Sequence, residues 1–568
     1  MRRAARFGHS VKRSWGNAVM SRSGSIVSVV VATSALALTG SGITGAARAA
    51  DTAPANCRTP DAPYKNYGCL DKYLGDGFFE RLVNYYRLEW GHDGPPADPK
   101  APPSRRAGWP DAPQTSPPMP FTEWPYGGST NIGMTRPNAV DSPLMVALGN
   151  TELGKAMSDA HMQVYGWVNG GGNISTNSVT PGGNFPASYD YTPNAFQLDQ
   201  AVVYFERLPD TVQTDHIDWG FRFSAIYGEN YRYTTAFGVA SYQLLGHNLT
   251  NGFDMPMMYG EIYIPQVAEG LIIRAGRYIS VPDIEAQLAP NNYMYTHSLT
   301  YTFDNYTNTG IMTTTALDKN WIFQLGVSVG TEAAPWHWGQ TVQNPFPNPV
   351  YPGSTMLRDP GAKPTVTTGL RWQSDDARDN IYVVANAMND GVWGYNNLQW
   401  YGVTLYHAFN SQWHLSFEVY ELDQMKVLNA ADPLHILANG GWPFSPQNGM
   451  PFNAPGTAVC SSPYVVTCTA RSLASLMYLN YRMSSLDNIS FRAEFYNDMQ
   501  GQRTGTRTRY TEFGIGWQHW FSPQVELRPE VTYYHSLDAN AFNGNANALI
   551  PPNRNYSVVS AMDLIWHF

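Results

Sequence analysis

The segment 280–308 carries three carboxylates, at Asp283, Glu285 and Asp304. Acidic groups on a loop that faces basic groups across water would create a transverse electric field, which is how a narrow passage discriminates between ions. The same charges could instead form ion pairs in a solvated interior, because a polar interior is expected in any large membrane barrel. The sequence leaves both interpretations open.

Candidate partners for these acids occur at alternating positions of the flanking segments. In "IDWGFRFSAIYG", Arg222 falls opposite Trp219, Phe221 and Phe223, and such a period of two is typical of a strand with two environments. The same parity predicts a polar wall that carries Arg222, Arg274, Glu418, Arg492, Glu494, Glu526, Arg528 and Glu530. Arg277 has the opposite parity from Arg274, so its direction is undecided.

Catalytic chemistry has little support in this chain. His414 lies near Ser416 and Glu418 on one face of its segment, but a spacing of two does not by itself make a nucleophile–base pair. There is no phosphate loop or His-x-x-x-His pair, and the Gly-x-Ser-x-Gly match at 326–330 lies within a predicted strand and not at a strand-to-helix elbow. We therefore predict no enzyme, no cofactor and no metal site, and we interpret His414 as a solvated interior histidine.

The four cysteines form two close pairs, Cys57 with Cys69 and Cys460 with Cys468. In an exported protein, close pairs predict two local disulfides. A metal site is the alternative, but neither pair has a histidine at ligand spacing.

The positioning elements are predicted to be sixteen amphipathic strands of about ten residues, the length that a tilted strand needs to cross a bilayer. They are expected at 161–169, 196–207, 217–228, 256–264, 270–279, 309–317, 321–330, 364–373, 380–389, 398–408, 412–421, 471–483, 488–497, 509–520, 524–534 and 556–568. Connections after even strands are short and those after odd strands are long, which is the asymmetry of an outer-membrane barrel. Residues 231–240 could add a strand pair and make eighteen.

Composition favours the same class over a soluble β-protein. Charged residues make up 14% of the chain and aromatic residues 13%. After residue 50, no apolar run approaches the roughly 20 residues of a spanning helix. Apolar faces that begin or end in Trp, Tyr or Phe are typical of an aromatic girdle. The predicted fold is an all-β, antiparallel, up-and-down transmembrane barrel, because a closed barrel leaves no unpaired backbone in lipid.

The N-terminal region differs from the rest. Residues 1–50 combine a basic start, the apolar run "IVSVVVATSALAL" and an Ala-x-Ala site, which predicts a cleaved signal peptide, since the run is too short for a membrane anchor. Cleavage would remove seven basic and no acidic residues and make the net charge of −9 more negative. This disfavours nucleic acid and anionic lipid as partners. Residues 51–155 are predicted to form an extension with a short helix near 77–90 and a Pro-rich linker, followed by the barrel at 156–568.

The C-terminus ends in "SAMDLIWHF". Its alternation predicts a last strand with an apolar side facing lipid and the outer-membrane assembly machinery. That side carries Met562, Leu564, Trp566 and Phe568.

From about Asp159 onward, the chain resembles the outer-membrane porin family described as putative beta-barrel porin-2, OmpL-like. The resemblance is strongest in "QVYGWVNGGG", in "MYGEIYIPQVAEGLIIRAGRYISVPDIEAQLAPNNYMYTHSLTYTFDNYTNTGIMTT" and in "LQWYGVTLYHAFNSQWHLSFE". Residues 51–155 and the segment 460–468 lie outside it. The resemblance implies a channel-type barrel, with no catalytic residues and no defined solute.

We therefore predict a porin of a Gram-negative outer membrane that passes small polar solutes and ions, with a slight preference for cations. Segment 280–308 follows the fifth strand and is expected to fold inward and narrow the pore, by analogy with general porins. A homotrimer is expected on the same analogy. The alternative is a non-conducting barrel for adhesion or envelope anchoring, with 331–363 and 422–470 as its working loops.

Overall fold

The computed structural model describes most of the chain from residue 74 onward. The ranges are 74–89, 132–133, 142–178, 183–187, 189–236, 238–245, 247, 249–280, 283–337, 341–343, 356–358, 363–376, 378–392, 397–430, 457–465, 467–484, 486–522, 524–544 and 550–568. The predicted signal peptide, the cleavage site and the Cys57–Cys69 pair lie outside these ranges.

Within the described ranges, three helices precede the first strand: α1 (Phe78–Glu89), α2 (Pro143–Leu148) and α3 (Glu152–Asp159). The Ser142 hydroxyl caps α2 by accepting the Met145 N–H at 3.1 Å, and Thr151 caps α3 in the same way. The short helix predicted near 77–90 is α1. Within the described part of the chain, no helix has the length and apolarity needed to cross a membrane.

Eighteen strands follow in the part of the chain that the structure describes, and sixteen of them form one closed antiparallel barrel. The barrel strands are β1 (Met162–Ser175), β2 (Phe196–Arg207), β3 (Asp218–Gly228), β4 (Gly252–Ile264), β5 (Leu271–Ile279), β6 (Thr307–Ala316), β7 (Trp321–Thr331), β10 (Thr365–Gln373), β11 (Asp379–Met388), β12 (Gln399–Ala408), β13 (Trp413–Leu428), β14 (Thr467–Arg482), β15 (Asp487–Asp498), β16 (Thr508–Ser522), β17 (Val525–Ser536) and β18 (Tyr556–His567). Strands β8 (Thr341–Gln343) and β9 (Met356–Arg358) form a separate two-stranded sheet.

The structure confirms the predicted fold and all sixteen predicted barrel strands, with two kinds of difference. Several strands extend farther toward the long loops than the alternation indicated; β13, for example, continues to Leu428. A strand that rises out of the membrane no longer needs an apolar face, so the period-2 signal ends before the hydrogen bonding does. The suggested strand at 231–240 is wrong, because Tyr231–Thr234 form the short helix α4; Tyr242–Leu245 form α5.

The barrel closes where the first strand meets the last. Trp167 to Ser175 of β1 pair with residues 559–567 of β18, and the Gly166 and Phe568 backbones exchange hydrogen bonds of 3.0 and 2.9 Å. This seam leaves no free sheet edge among the barrel strands, which satisfies the backbone in a medium without water.

The two faces of the sheet differ as the alternation predicts. In β18, Met562, Leu564 and Trp566 are exposed on the outside, whereas Asp563 and His567 are buried inside. Exposed tryptophans lie near the short-turn ends of four strands, at Trp219, Trp321, Trp517 and Trp566. This position fits an interfacial girdle, where an amphipathic ring sits between hydrocarbon and water.

The N-terminal segments contact the barrel at its short-turn end. The Tyr86 hydroxyl of α1 donates to the His567 carbonyl oxygen, and the Gln524 amide approaches the Tyr85 hydroxyl at 3.3 Å. Farther around the rim, the buried Ile132 packs with Tyr263, Ile272 and Ala316 at the ends of β4, β5 and β6. The described parts of the extension are therefore docked on this end of the barrel.

Candidate functional site in the barrel lumen

The connection between β5 and β6 lies inside the barrel. Two hydrogen bonds join the ends of this connection. The Ser280 hydroxyl donates to the Asn305 carbonyl oxygen at 2.6 Å, and the Ser280 N–H donates to the Tyr306 carbonyl oxygen at 2.8 Å. Every described residue of the connection from 283 to 305 is buried. We call residues 280–306 the lumen loop; it contains the short helix α6 (Leu299–Thr302).

The lumen loop reaches the wall opposite its own strands. Its backbone N–H groups donate to three wall glutamates that the sequence predicted to face inward. Ile284 donates to Glu418 of β13 at 2.9 Å, Leu299 to Glu494 of β15 at 3.0 Å and Tyr295 to Glu530 of β17 at 2.8 Å. Going around the barrel, β15 lies eight strands from β5. These carboxylates serve the loop as hydrogen-bond acceptors.

Two wall arginines hold the loop from the same side. The Arg528 guanidinium donates to the Ala289 and Asn292 carbonyl oxygens at 2.7 and 2.9 Å, and it pairs with Asp563 of the neighbouring strand at 2.5 Å. Arg492 pairs with Glu285 of the loop at 3.4 Å and also with the wall acid Glu512. Charge-assisted bonds to a loop backbone are stronger than neutral ones, so these contacts fix the position of the loop.

The remaining predicted wall charges are paired within the wall. Arg222 bonds Glu206 at 2.6 Å, and Arg274 bonds Glu261 at 3.1 Å. Glu526 accepts a hydrogen bond from Gln518 at 2.7 Å and lies 3.5 Å from His567. The ion pairs of Arg222 and Arg274 favour the interpretation of these wall arginines as neutralised by neighbouring acids.

Arg277, whose direction the sequence left undecided, is buried and pairs with Asp254 at 2.9 Å. The ladder between β3 and β4 shifts register between Ser224 and Ile226, next to Asp254. A bulge changes which residues face one another, and local parity does not reveal it.

Two of the three loop acids meet a wall acid. Asp283 and Asp304 approach Glu418, and one ligand oxygen from each of the three carboxylates lies within 4.8 Å of the others. Burial raises the pKa of Asp304 to about 6, against the lowering effects of nearby hydrogen bonds and of Arg503. Burial, followed by the charges of Asp304 and Glu418, raises the pKa of Asp283. The loop acids therefore divide into Glu285, which faces Arg492, and a pair that faces Glu418.

His414 does not form the nucleophile–base pair that was considered for it. Its Nε2 lies 2.7 Å from the Tyr293 hydroxyl, and the Ser416 hydroxyl has no hydrogen-bond partner among the described residues. His414 is buried, so the prediction of a solvated side chain is wrong: the lumen loop shields it through Tyr293.

Sequence reasoning missed the acids that pair with the wall arginines. Glu206, Asp254, Glu261, Glu512 and Asp563 all lie on barrel strands. Glu206, Glu261, Glu512 and Asp563 occupy alternating positions that face the lumen, so the strand pattern alone could have identified them as inner-wall acids. Arg503 lies on the connection after β15, and its guanidinium donates to the Phe303 carbonyl oxygen at 2.6 Å. No local pattern could have placed Arg503 against the lumen loop.

Cys460, in the connection between β13 and β14, forms a disulfide with Cys468 at the start of β14. The cysteines pack with Val427, Ala458 and Ala470. This confirms the second of the two predicted bridges.

The sequence of residues 161–568 matches the family described as "Putative beta-barrel porin-2, OmpL-like". The chain belongs to this porin family. The match begins at the residue before β1 and covers every barrel strand, so the porin is a channel-type barrel of the outer membrane. The N-terminal extension precedes the match.

The solved structures to which this chain is similar include porins and a channel. An anion-selective porin from Comamonas acidovorans is 8% identical, with a TM-score of 0.42, and the alignment covers 72% of this chain and 99% of that one. The outer-membrane channel DcaP of Acinetobacter baumannii is 7% identical, with a TM-score of 0.40 and coverage of 72% and 97%. A triple mutant of the Rhodopseudomonas blastica porin is 10% identical, with a TM-score of 0.34 and coverage of 72% and 100%. No curated protein has a significant sequence match to this chain.

Proposed function

We propose that this porin provides passive passage for small polar solutes and ions, and that the lumen loop forms its constriction. The observation that carries the proposal is the anchoring of the loop to β13, β15 and β17, on the side of the barrel away from its own strands. A loop fixed at both sides of the lumen divides the interior and leaves a narrower aqueous path than an empty cylinder of sixteen strands would.

The proposal includes a preference for cations. Five of the inner arginines, at positions 222, 274, 277, 492 and 528, each have a wall acid within ion-pair distance. Asp283 and Asp304 lie instead beside a third acid, Glu418. An excess of acidic groups at the narrowest part lowers the energy of a passing cation relative to an anion. The formal net charge of −9 has the same sign.

Recordings from the purified porin in planar bilayers test both parts. We expect stepwise conductance and, in a salt gradient, a reversal potential with the sign of a cation-selective pore. Replacing Asp283 and Glu285 together by lysine should move that potential toward anion preference. The exposed short-turn acid Asp215 provides the matched control, and Asp215→Lys should leave the potential unchanged. A double variant that behaves like the parent chain would refute the constriction.

The non-conducting barrel stays a second candidate because the lumen loop is buried throughout its described residues. A porin whose interior is filled by its own loop could serve adhesion or anchoring. Silent bilayers at all voltages, with folded protein verified by its heat-dependent electrophoretic mobility, would favour this candidate.

The remaining expectations are parts of the same proposal. Cleavage after residue 49 or 50 in a Gram-negative host is tested by N-terminal sequencing of outer-membrane protein. Recognition of Met562, Leu564, Trp566 and Phe568 by the assembly machinery is tested by deleting Phe568, which should lower the amount of folded barrel. A homotrimer would give a heat-labile band of threefold mass on electrophoresis.

A further inference from the structure

The three carboxylates of Asp283, Asp304 and Glu418 share one buried space between the lumen loop and β13. Each side chain is at most 4% exposed, and one ligand oxygen from each lies within 4.8 Å of the other two. Three like charges so close together and removed from water repel one another strongly. Something with positive charge must therefore balance them if they are ionised.

The protein provides little compensation of its own. Glu418 accepts the Ile284 N–H and Asp304 accepts the Asn305 N–H, at 2.9 and 2.6 Å. One oxygen on each carboxylate has no hydrogen-bond partner among the described residues: Asp283 Oδ1, Asp304 Oδ2 and Glu418 Oε1. The guanidinium of Arg503 acts on Asp304 and donates to the Phe303 carbonyl oxygen, but one cation does not match three anions.

A neutral oxygen from the next strand adds an independent observation. Thr404 of β12 is directly opposite Glu418 in the ladder, and both side chains are on the buried inner face at 1% exposure. Side chains directly opposite each other in an antiparallel pair lie about 5 Å apart at Cβ. The Thr404 hydroxyl oxygen has no hydrogen-bond partner within the described part of the chain. A buried hydroxyl on the residue opposite Glu418, with its hydrogen-bonding capacity unused, indicates a missing ligand.

The donor set identifies the chemistry of that ligand. Carboxylate and hydroxyl oxygens are the ligands of hard divalent cations, and neither histidine nor cysteine belongs to the cluster. We propose that Asp283, Asp304, Glu418 and Thr404 bind a calcium-class divalent cation that joins the lumen loop to β12 and β13. The inference is independent of conduction, because a non-conducting barrel would bind the ion equally well.

Terbium luminescence tests the site in the purified full-length porin in detergent, after treatment with a chelator. The Trp400 indole, also on β12, lies close enough to Asp304 to act on its carboxylate, so it can serve as a sensitiser. We expect a saturable terbium signal that calcium displaces. Glu418→Gln and Asp283→Asn should each weaken binding by at least about tenfold, because calcium affinity follows the charge of the ligand set. The matched control is Asp190→Asn, another buried lumen acid, and it should bind like the parent chain.

A second variant keeps the test decisive if the acid variants do not fold. Trp400→Phe removes a sensitiser but no ligand, so the terbium signal should fall while calcium binding measured by calorimetry persists. The proposal is overturned if calcium gives no saturable heat up to about 1 mM, the weak end of oxygen-ligand sites. It is also overturned if Asp190→Asn weakens calcium binding as much as the cluster variants do.

Discussion

At the scale of single residues, the inner charges of this porin connect parts of the chain that are far apart in sequence. Arg528 joins β17, its neighbour Asp563 on β18 and two carbonyl oxygens of the lumen loop. A side chain that satisfies several partners at once is costly to remove, because each partner is then left buried without a donor.

Replacing Arg528 by alanine should destabilise the folded porin by about 3–5 kcal/mol, the usual cost of leaving one partner of a buried ion pair alone. Urea unfolding in lipid vesicles measures this loss. The control is Arg509→Ala, because Arg509 forms an exposed pair with Asp538, at 52% and 40% side-chain exposure. Exposed pairs contribute about 1 kcal/mol or less. Equal losses of stability in the two variants would show that water reaches the Arg528 ion pair and weakens it as it does a surface pair.

The outer face permits a prediction that depends on depth. Ile515 lies near the middle of β16 and is 47% exposed, whereas Trp517 is nearer the short-turn end. Ile515→Arg should cost about 2–4 kcal/mol and Trp517→Arg about 0–1 kcal/mol, because the penalty for a charge facing lipid falls toward the interface. The same urea experiment measures both. A cost that does not differ between the two positions would contradict the assignment of this face to lipid.

At the scale of elements, the position of the N-terminal extension on the short-turn rim bears on the conductance of the pore. Helix α1 contacts the ends of β17 and β18, and Ile132 packs against β4, β5 and β6. One polypeptide segment thus contacts separate parts of the short-turn rim. Loops and termini are commonly held to a barrel by only a few contacts, so their removal often leaves the sheet intact.

A segment held on the short-turn rim can obstruct the opening of the pore, so deleting residues 51–155 should raise the single-channel conductance. The barrel should stay folded, because the sixteen-strand ladder contains none of these residues. Planar-bilayer recording gives the conductance, and heat-dependent mobility on electrophoresis verifies the fold. Tyr86→Phe is the milder companion variant, since it removes only the hydroxyl that donates to His567. If the deletion leaves the conductance unchanged, the extension has no part in closing the pore.

At the scale of the whole molecule, closure determines what the lumen contains. The β1–β18 seam completes the cylinder, and only then do β13, β15 and β17 lie across from β5 and β6. The loop and the far wall are separated by more than a hundred residues in sequence, as in the contact of Ile284 with Glu418. The chemistry of the interior is consequently a property of the assembled barrel and not of any one hairpin.

The sequence by itself determined the sixteen barrel strands and the faces they present. Alternation in segments such as 217–228 and 556–568 is local information, because a strand side chain points to one face or the other according to its position in the chain. The same alternation placed Arg222, Arg492 and Arg528 on the inner wall. The close spacing of Cys460 and Cys468 was enough to predict their disulfide.

Only the tertiary structure decided which inner groups meet. Asp283 and Glu285 are two residues apart in the loop, yet Asp283 lies beside the acid Glu418 and Glu285 beside Arg492. Parity gives the face of each strand residue, but the distance between a loop atom and a wall atom depends on barrel closure, on register and on bulges such as the one near Asp254. These are long-range quantities, and no local pattern along the chain contains them.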